Sequence, residues 1–156
     1  MTLPIIERRR IEAEILKHVY EVLKESQGEE MARRTLDAAV SRSAVEHGAK
    51  LREALGHDPD LKDFAAALPA WTAGGALTIA VQEESAEKLS FDVTRCRYAE
   101  MYREMGLGEI GHLLSCNRDG EFCTGYNPKM HLTRTQTLMQ GASHCDFRYT
   151  MTKPRD

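Results

Sequence analysis

The spacing of the apolar residues changes in the middle of the chain, at the glycine pair Gly74-Gly75. Before this pair the apolar residues recur at helical spacing, and after it they alternate with polar ones, as they do in a strand. The chain is therefore predicted to be an α+β protein. Its helical part covers residues 1–75 and its sheet-containing part covers residues 76–152.

Three helices are predicted before the glycine pair. The first ends at Gly28, and its apolar stripe consists of Ile11, Ile15, Val19 and Leu23, with Leu16 and Tyr20 beside them. The second runs from about Glu29 to Leu55 and ends at Gly56. Its predicted inner face is made of apolar and small residues: Met31, Ala38, Val45, Ala49, Leu51 and Leu55. A short third helix follows Pro59 and ends near Leu68.

Four strands are predicted after the glycine pair. Two runs of alternating apolar residues form a hairpin around the polar segment 83–87, namely Leu77, Ile79 and Val81, then Leu89, Phe91 and Val93. The remaining elements are helices over about 98–105, 108–116 and 118–124, and strands over about 129–139 and 143–152 joined by a short connection at 140–142. The order helices, two strands, helices, two strands predicts a four-stranded antiparallel sheet with the N-terminal helices packed on one face.

Length, charge and cysteine spacing exclude several classes of protein. A chain of 156 residues suits one domain, 1–156, that buries its own core. The net charge of −3 is made of interspersed signs, so no basic face for nucleic acid is expected. No stretch is apolar enough for a membrane span or a secretion signal. The four cysteines lack paired spacing, which predicts reduced thiols in a cytoplasmic protein.

The last predicted strand carries an unusual mixture of side chains. His144, Asp146 and Arg148 share one face of it, whereas Cys145 and the aromatic residues Phe147 and Tyr149 share the other. Two interpretations of the polar face stay open. It is either an edge or solvated face in which Asp146 pairs with Arg148 or with a neighbouring strand, or part of a site.

Other candidate residues lie on neighbouring elements. Cys96 stands where the second strand enters a helix, and it is either a small core residue or a reactive thiol. His112 and Cys116 are four residues apart on a predicted helix, with Asp119 just beyond its end. Arg134 lies on the third strand, where a guanidinium beside a pocket would bind a carboxylate.

Metal binding is not expected from these spacings. A zinc site needs three or four ligands, and His112 with Cys116 supplies only two. None of the cysteine pairs that mark structural zinc sites is present. No metal and no cofactor are therefore predicted.

Four segments in the second half resemble a known family. They run from Arg95 to Tyr102, from Gly111 to Asp119, from Leu132 to Thr137 and from Gln140 to Tyr149. Taken in this order, they resemble the L-2-amino-thiazoline-4-carboxylic acid hydrolase family over about residues 89–149. The N-terminal helices resemble it only in general pattern.

The resemblance implies a hydrolase that adds water to the amidine-like carbon of a cyclic isothiourea and opens the ring, releasing N-carbamoyl-cysteine. The alternative is a non-catalytic small-molecule binding or sensing domain, because the α+β layout also resembles the ligand-binding domains related to vinyl-reductase accessory proteins. In both cases the partner is a small molecule, without nucleic acid or membrane. Self-association into a homo-oligomer is left open.

Chemistry of this kind needs a nucleophile and a proton shuttle. The nucleophile is expected to be Cys116 near His112, or Cys145 beside His144, with its pKa lowered by a histidinium or a helix terminus. A water molecule activated without a covalent intermediate would use the same residues. Which of the two cysteines attacks stays open.

The substrate also has charged groups that the protein must bind. Asp119 or Asp146 is expected to hold the amidinium, and Arg134 or Arg148 the carboxylate. The residues predicted to contact the substrate are Cys96, Tyr98, Asn117, Arg134 and Arg148.

Overall fold

The computed structural model describes residues 3–152, and its elements follow the predicted order of helices, two strands, helices, two strands. The helices are α1 (Ile5–Gln27), α2 (Glu29–Leu55), α3 (Leu61–Ala67), α4 (Pro69–Thr72), α5 (Arg97–Glu104) and α6 (Asn117–Tyr126). The strands are β1 (Leu77–Glu84), β2 (Lys88–Cys96), β3 (Met130–Thr133) and β4 (Cys145–Met151). Short 3₁₀ turns cover Ala73–Gly75 and Leu138–Gln140, and a π-helical turn covers His112–Cys116.

The four strands form one antiparallel sheet in the order β1-β2-β4-β3, so the predicted α+β class is confirmed. Phe91 on β2 lies opposite Phe147 on β4, and the two rings stack with centroids 4.8 Å apart. These residues belong to the buried face, which packs against α3 and α6. The opposite face carries polar residues such as Asp92 and Arg148.

The third strand is shorter than predicted, and its connection to β4 is not a short hairpin. β3 ends at Thr133, and the segment 134–144 forms a loop with a 3₁₀ turn. The Asp146 carboxylate accepts hydrogen bonds from the backbone N–H groups of Thr135 and Gln136, at 2.9 and 3.0 Å. Because a side chain satisfies these N–H groups, they do not continue the sheet ladder.

The buried face of α1 differs from the predicted one. Ile11 and Ile15 are 53% and 63% exposed, whereas Arg9 and Ala13 are buried. The cost of burying the Arg9 guanidinium is offset by its pairing with Glu12 at 2.9 Å. On α2 the buried residues are likewise offset from the predicted stripe, namely Ala32, Leu36, Val40, Ala44 and Gly48.

Two glycines bring α2 and α6 into backbone contact. A Cβ atom on Gly125 of α6 would lie 1.9 Å from the carbonyl oxygen of Val45 on α2. A Cβ atom on Gly48 of α2 would lie 2.3 Å from the carbonyl oxygen of Phe122 on α6. Only glycine fits at either position, so this crossing determines how close α6 lies to α2.

No helix among residues 3–152 is both long enough and apolar enough to cross a lipid bilayer.

The glycine contact leads to a first prediction, with a control on the same helix. Gly125→Ala should lower the free energy of unfolding by about 2–3 kcal/mol, because the new methyl group must push two backbones apart. Gly120→Ala meets no atom within 4 Å. It should therefore raise stability by up to about 1 kcal/mol through helix propensity. Urea unfolding followed by circular dichroism measures both changes, and equal effects would contradict the backbone contact.

Candidate functional site

Two adjoining cavities lie between the buried face of the sheet and the helices. We call the first the thiol chamber, lined by Cys96, Tyr98, Cys116, Arg134, Met139 and Cys145. We call the second the aromatic chamber, lined by Ala44, His47, Phe64, Leu68, Phe122 and Tyr149. Both chambers share a wall made of Arg9, Trp71, Leu77, Arg118, Asp119 and Phe147. Their volumes are about 60 and 50 Å³.

Three cysteines line the thiol chamber, and each comes from a different element. Cys145 belongs to the buried face of β4, where it lies opposite Val93. Cys96 ends β2, and its sulfur caps α5 by accepting a hydrogen bond from the Ala99 N–H at 3.4 Å. Cys116 ends the π-helical turn. Such turns occur often at functional sites, and this one brings a thiol directly before α6.

Burial raises the pKa of all three thiols. It raises the pKa of Cys96 to about 11, and it raises the pKa of Cys116 further, with the nearby Asp119 carboxylate adding to the shift. The expectation that a histidinium or a helix terminus lowers the pKa of Cys116 or Cys145 is therefore wrong. The pKa of His112 is lowered, because this residue is partly buried and lies near Arg33. Its imidazole therefore does not carry a permanent positive charge.

Charged side chains meet at the shared wall. Arg118 Nη2 lies 2.9 Å from the Glu12 carboxylate, which also binds Arg9. Arg134 Nη1 lies 2.7 Å from Asp119 Oδ2. This cluster contains three guanidinium groups and two carboxylates, so it carries one positive charge in excess. Burial and the charge of Arg9 lower the pKa of Arg118 to about 10. An anionic ligand would relieve this repulsion.

Asp119 is the carboxylate that faces both chambers. Its side chain is 27% accessible although it lies inside the protein, because it forms part of the cavity wall. Burial raises the pKa of Asp119, and the charges of Arg134, Arg9 and Arg118 oppose that rise. Arg134 occupies Oδ2, and within residues 3–152 Oδ1 accepts no side-chain hydrogen bond. Asp119 therefore offers one oxygen to a ligand.

The predicted site residues separate into two groups in the structure. Six of them line the thiol chamber: Cys96, Tyr98, Cys116, Asp119, Arg134 and Cys145. The Tyr98 hydroxyl also donates a hydrogen bond to the Trp71 carbonyl oxygen at 3.1 Å, which holds α4 against the chamber. Arg134 donates a second hydrogen bond, from Nη2, to the Cys116 carbonyl oxygen at 3.0 Å.

The other five predicted residues line neither chamber. Three of them lie on or beside β4: His144, Asp146 and Arg148. Arg148 pairs with Asp92 at 3.0 Å, and Asp146 holds the backbone of the loop that follows β3. The remaining two are His112 and Asn117, of which Asn117 donates a hydrogen bond to Asp37 at 3.0 Å.

Several lining residues were not predicted from the sequence. Arg9, Arg118, His47 and Trp71 are the principal ones. Arg9 had a recognisable signal, because it lies four residues from Ile5 and from Ala13 on one face of α1. A charged residue between two buried ones on a helix face is a candidate for a buried pair. Arg118, His47 and Trp71 gave no comparable signal.

No three His, Cys, Asp or Glu side chains converge as a metal site within the described residues. An enclosed cavity with apolar walls and a few convergent charged groups is typical of a small-molecule site. The fold and the site thus define an α+β protein with two adjoining internal cavities beside its sheet.

The sequence matches the model of the L-2-amino-thiazoline-4-carboxylic acid hydrolase family over residues 8–149. The match spans more than half of the chain, and the protein belongs to this family. The predicted family resemblance is therefore confirmed. No curated protein matches the chain.

The comparison with solved structures includes the following two matches. The first is the phenol-responsive sensory domain of the transcription activator PoxR with phenol, at a TM-score of 0.56 and 14% sequence identity. This match covers 89% of this chain and 73% of that one. The second is the Fe(II) unliganded H-NOX protein from K. algicida, at a TM-score of 0.43 and 8% identity, covering 90% and 96% of the two chains. The likeness to PoxR concerns the fold alone.

The raised pKa values lead to a prediction about thiol reactivity. In the folded protein, alkylation of Cys96 and Cys116 by iodoacetamide should keep accelerating with pH well above 9, because the thiolate is scarce below that range. In urea the same rates should level off near the ordinary cysteine pKa of about 8.5. Mass spectrometry of the peptides measures each site. A plateau near pH 8 for either cysteine in the folded protein would contradict the prediction.

Proposed function

We propose that this protein hydrolyses a cyclic isothiourea, or a related cyclic amidine, that carries a carboxylate. The reaction is a ring opening like that of 2-amino-thiazoline-4-carboxylate to N-carbamoyl-cysteine. One observation carries the proposal: the thiol chamber combines thiols, a cavity-facing carboxylate and an excess of guanidinium charge in one enclosed space. Membership of a family named for this hydrolysis supports it.

The substrate's two charged groups have separate partners in this proposal. Asp119 Oδ1 binds the amidinium, since Oδ2 is occupied by Arg134. Arg9 binds the carboxylate. It lines both chambers, its Nη1 is bound to Glu12, and within residues 3–152 its Nε and Nη2 donate to no protein group. Arg134 and Arg148 are less suited to this role, because in each of them both terminal nitrogens already donate to protein groups, and Arg148 lines neither chamber.

Cys116 is the nucleophile that we infer. Within the described residues its sulfur accepts no hydrogen bond, whereas the sulfurs of Cys96 and Cys145 accept backbone N–H groups of Ala99 and Leu138. Burial raises the pKa of its thiol and so favours the protonated form. A bound amidinium places a positive charge beside it and favours the thiolate, so the substrate itself activates the nucleophile.

The reaction then has two steps. Cys116 Sγ bonds to the amidine carbon, the ring carbon–sulfur bond breaks, and the thiol proton passes through Asp119 to the departing ring sulfur. This leaves the substrate attached to the enzyme as an isothiouronium. Water adds to the same carbon in the second step, the bond to Sγ breaks, and Cys116 regains a proton. The product is a urea, and the amidinium's extra proton is released to solvent.

A second candidate function is small-molecule binding without turnover. Raised thiol pKa values favour it, because burial disfavours the thiolate that a nucleophile needs. The resemblance of the fold to a phenol-responsive sensory domain adds a precedent for ligand binding in such a fold. Ligand binding without turnover of aminothiazoline carboxylate and a panel of cyclic amidines would favour this function.

Cysteine variants test the nucleophile. Cys116→Ser should reduce turnover of 2-amino-thiazoline-4-carboxylate by at least about 10³-fold, because a nearby cation does not ionise a serine hydroxyl. Substrate binding should persist in this variant. Release of the product thiol, titrated with a chromogenic disulfide, gives the rate. Cys123→Ser is the control: this residue is buried, and its thiol donates a hydrogen bond to the Asp119 backbone carbonyl. The control should lose about 1–3 kcal/mol of stability and keep its activity per folded molecule. Full activity of Cys116→Ser would remove Cys116 from the mechanism.

A pair of arginine variants tests the carboxylate partner. Arg9→Lys should raise KM by about 10- to 100-fold with little change in kcat, because lysine keeps the charge but loses the two-pronged hydrogen bond to a carboxylate. Arg148→Lys changes a guanidinium that is paired with Asp92 and lines neither chamber, so KM should stay within about twofold. Steady-state kinetics on both variants distinguishes the two arginines. A KM that rises in Arg148→Lys but not in Arg9→Lys would instead place the carboxylate site on the other face of the sheet.

A further inference from the structure

The aromatic chamber has no role in the hydrolysis derived above. Its walls are almost entirely rings and aliphatic side chains, and its charged groups all belong to the wall that it shares with the thiol chamber. Its volume of about 50 Å³ has room for about four water molecules, at roughly 10–15 Å³ for each water position. Waters in the interior of such a space would lack the two to four polar partners that ordered water needs.

The rings around the chamber stand at angles that suit another ring. Trp71 and Phe122 meet edge to face, with centroids 5.4 Å apart and planes at 85°. His47 meets Phe122 in the same way, at 5.4 Å and 75°. Burial and nearby arginines lower the pKa of His47 to about 4, so its ring is neutral at physiological pH. Mixed edges and faces of this kind favour a planar aromatic guest over a flexible chain.

We propose that the aromatic chamber is a subsite for a planar apolar ring, and that the substrate of this protein is a cyclic amidine carboxylate bearing an aryl group. The substrate part of this inference rests on the proposed hydrolysis. One molecule reaches both chambers because Arg9 and Asp119 belong to their shared wall. Its charged groups bind at that wall, its amidine carbon faces Cys116, and its aryl group fills the aromatic chamber.

Trp71 provides a built-in reporter for the test. It is the single tryptophan of the chain, and it lines both chambers. Phenylacetate and acetate are the probes, because they share the carboxylate and differ by the ring. Phenylacetate should change the fluorescence of Trp71 and bind at least about tenfold more tightly than acetate, since the ring leaves water for an apolar cavity. Isothermal titration calorimetry provides the two dissociation constants.

Variants that fill the chamber locate the bound ring. Ala44→Leu adds bulk to a buried residue of the aromatic chamber, and it should reduce the preference for phenylacetate to less than about threefold while leaving acetate binding unchanged. Leu68→Phe fills the same chamber from the junction of α3 and α4 and should have the same effect. Ala65→Leu is the matched control. This residue is on α3, lines neither chamber, and should keep the full preference.

Three results would overturn the inference. Equal binding of the two probes by the unaltered protein would remove the ring subsite. A preference that survives both Ala44→Leu and Leu68→Phe would place the ring elsewhere. Loss of the preference in Ala65→Leu would show an effect unrelated to the chamber.

Turnover of 2-amino-thiazoline-4-carboxylate, measured on the same preparations, separates this inference from the proposed function. Turnover without a ring preference means that the hydrolysis is right and the subsite is wrong. A ring preference without turnover of this compound or of its 5-phenyl derivative means that the subsite is right and the hydrolysis is wrong. Faster turnover of the 5-phenyl derivative, lost in Ala44→Leu, supports both.

Discussion

The backbone contact between α2 and α6 determines where two charged residues of the shared cavity wall, Arg118 and Asp119, lie. Gly48 and Gly125 let the two helices approach until each would collide with any side chain of the other. α6 carries Arg118 and Asp119. Its position relative to α2 therefore determines how far these two residues of the shared wall lie from the sheet. A wider crossing would move both residues away from Arg134, which reaches Asp119 from the loop after β3.

The site also shows how burial and charge act against each other in one small space. Burial favours the protonated thiols, and the cluster around Glu12 and Asp119 contains more guanidinium groups than carboxylates. A ligand that carries both an anionic and a cationic group would act on the charge balance and on the protonation of the thiols together. Its anion balances the excess charge, and its cation stabilises a thiolate. The chamber is thus complementary to a zwitterion, and a neutral molecule would gain neither interaction.

Sequence patterns predicted the sheet well because strand alternation is a local property. The split of β4, with Cys145 and Phe147 inward and Arg148 outward, follows from alternation alone. The burial of Arg9 did not follow, since it depends on Glu12, which also binds Arg118 from α6. The early end of β3 depends on hydrogen bonds from a loop to the Asp146 carboxylate on the next strand, and the spacing of residues in the sequence does not predict such bonds. The pairing of Asp119 with Arg134 likewise joins residues on different elements, so the sequence pattern does not predict it.

The hydrogen bond between Glu12 and Arg118 joins positions 106 residues apart. The first helix leaves the ribosome long before the residue that it binds has been synthesised, and its Arg9 has no cavity to line until α6 has docked. Closing so long a segment costs conformational entropy that only the finished core offsets. A growing chain therefore has all of its first helix before the wall shared by the two chambers can form. That wall appears late and as a whole, because Glu12 has no Arg118 to bind until α6 has been synthesised and has docked.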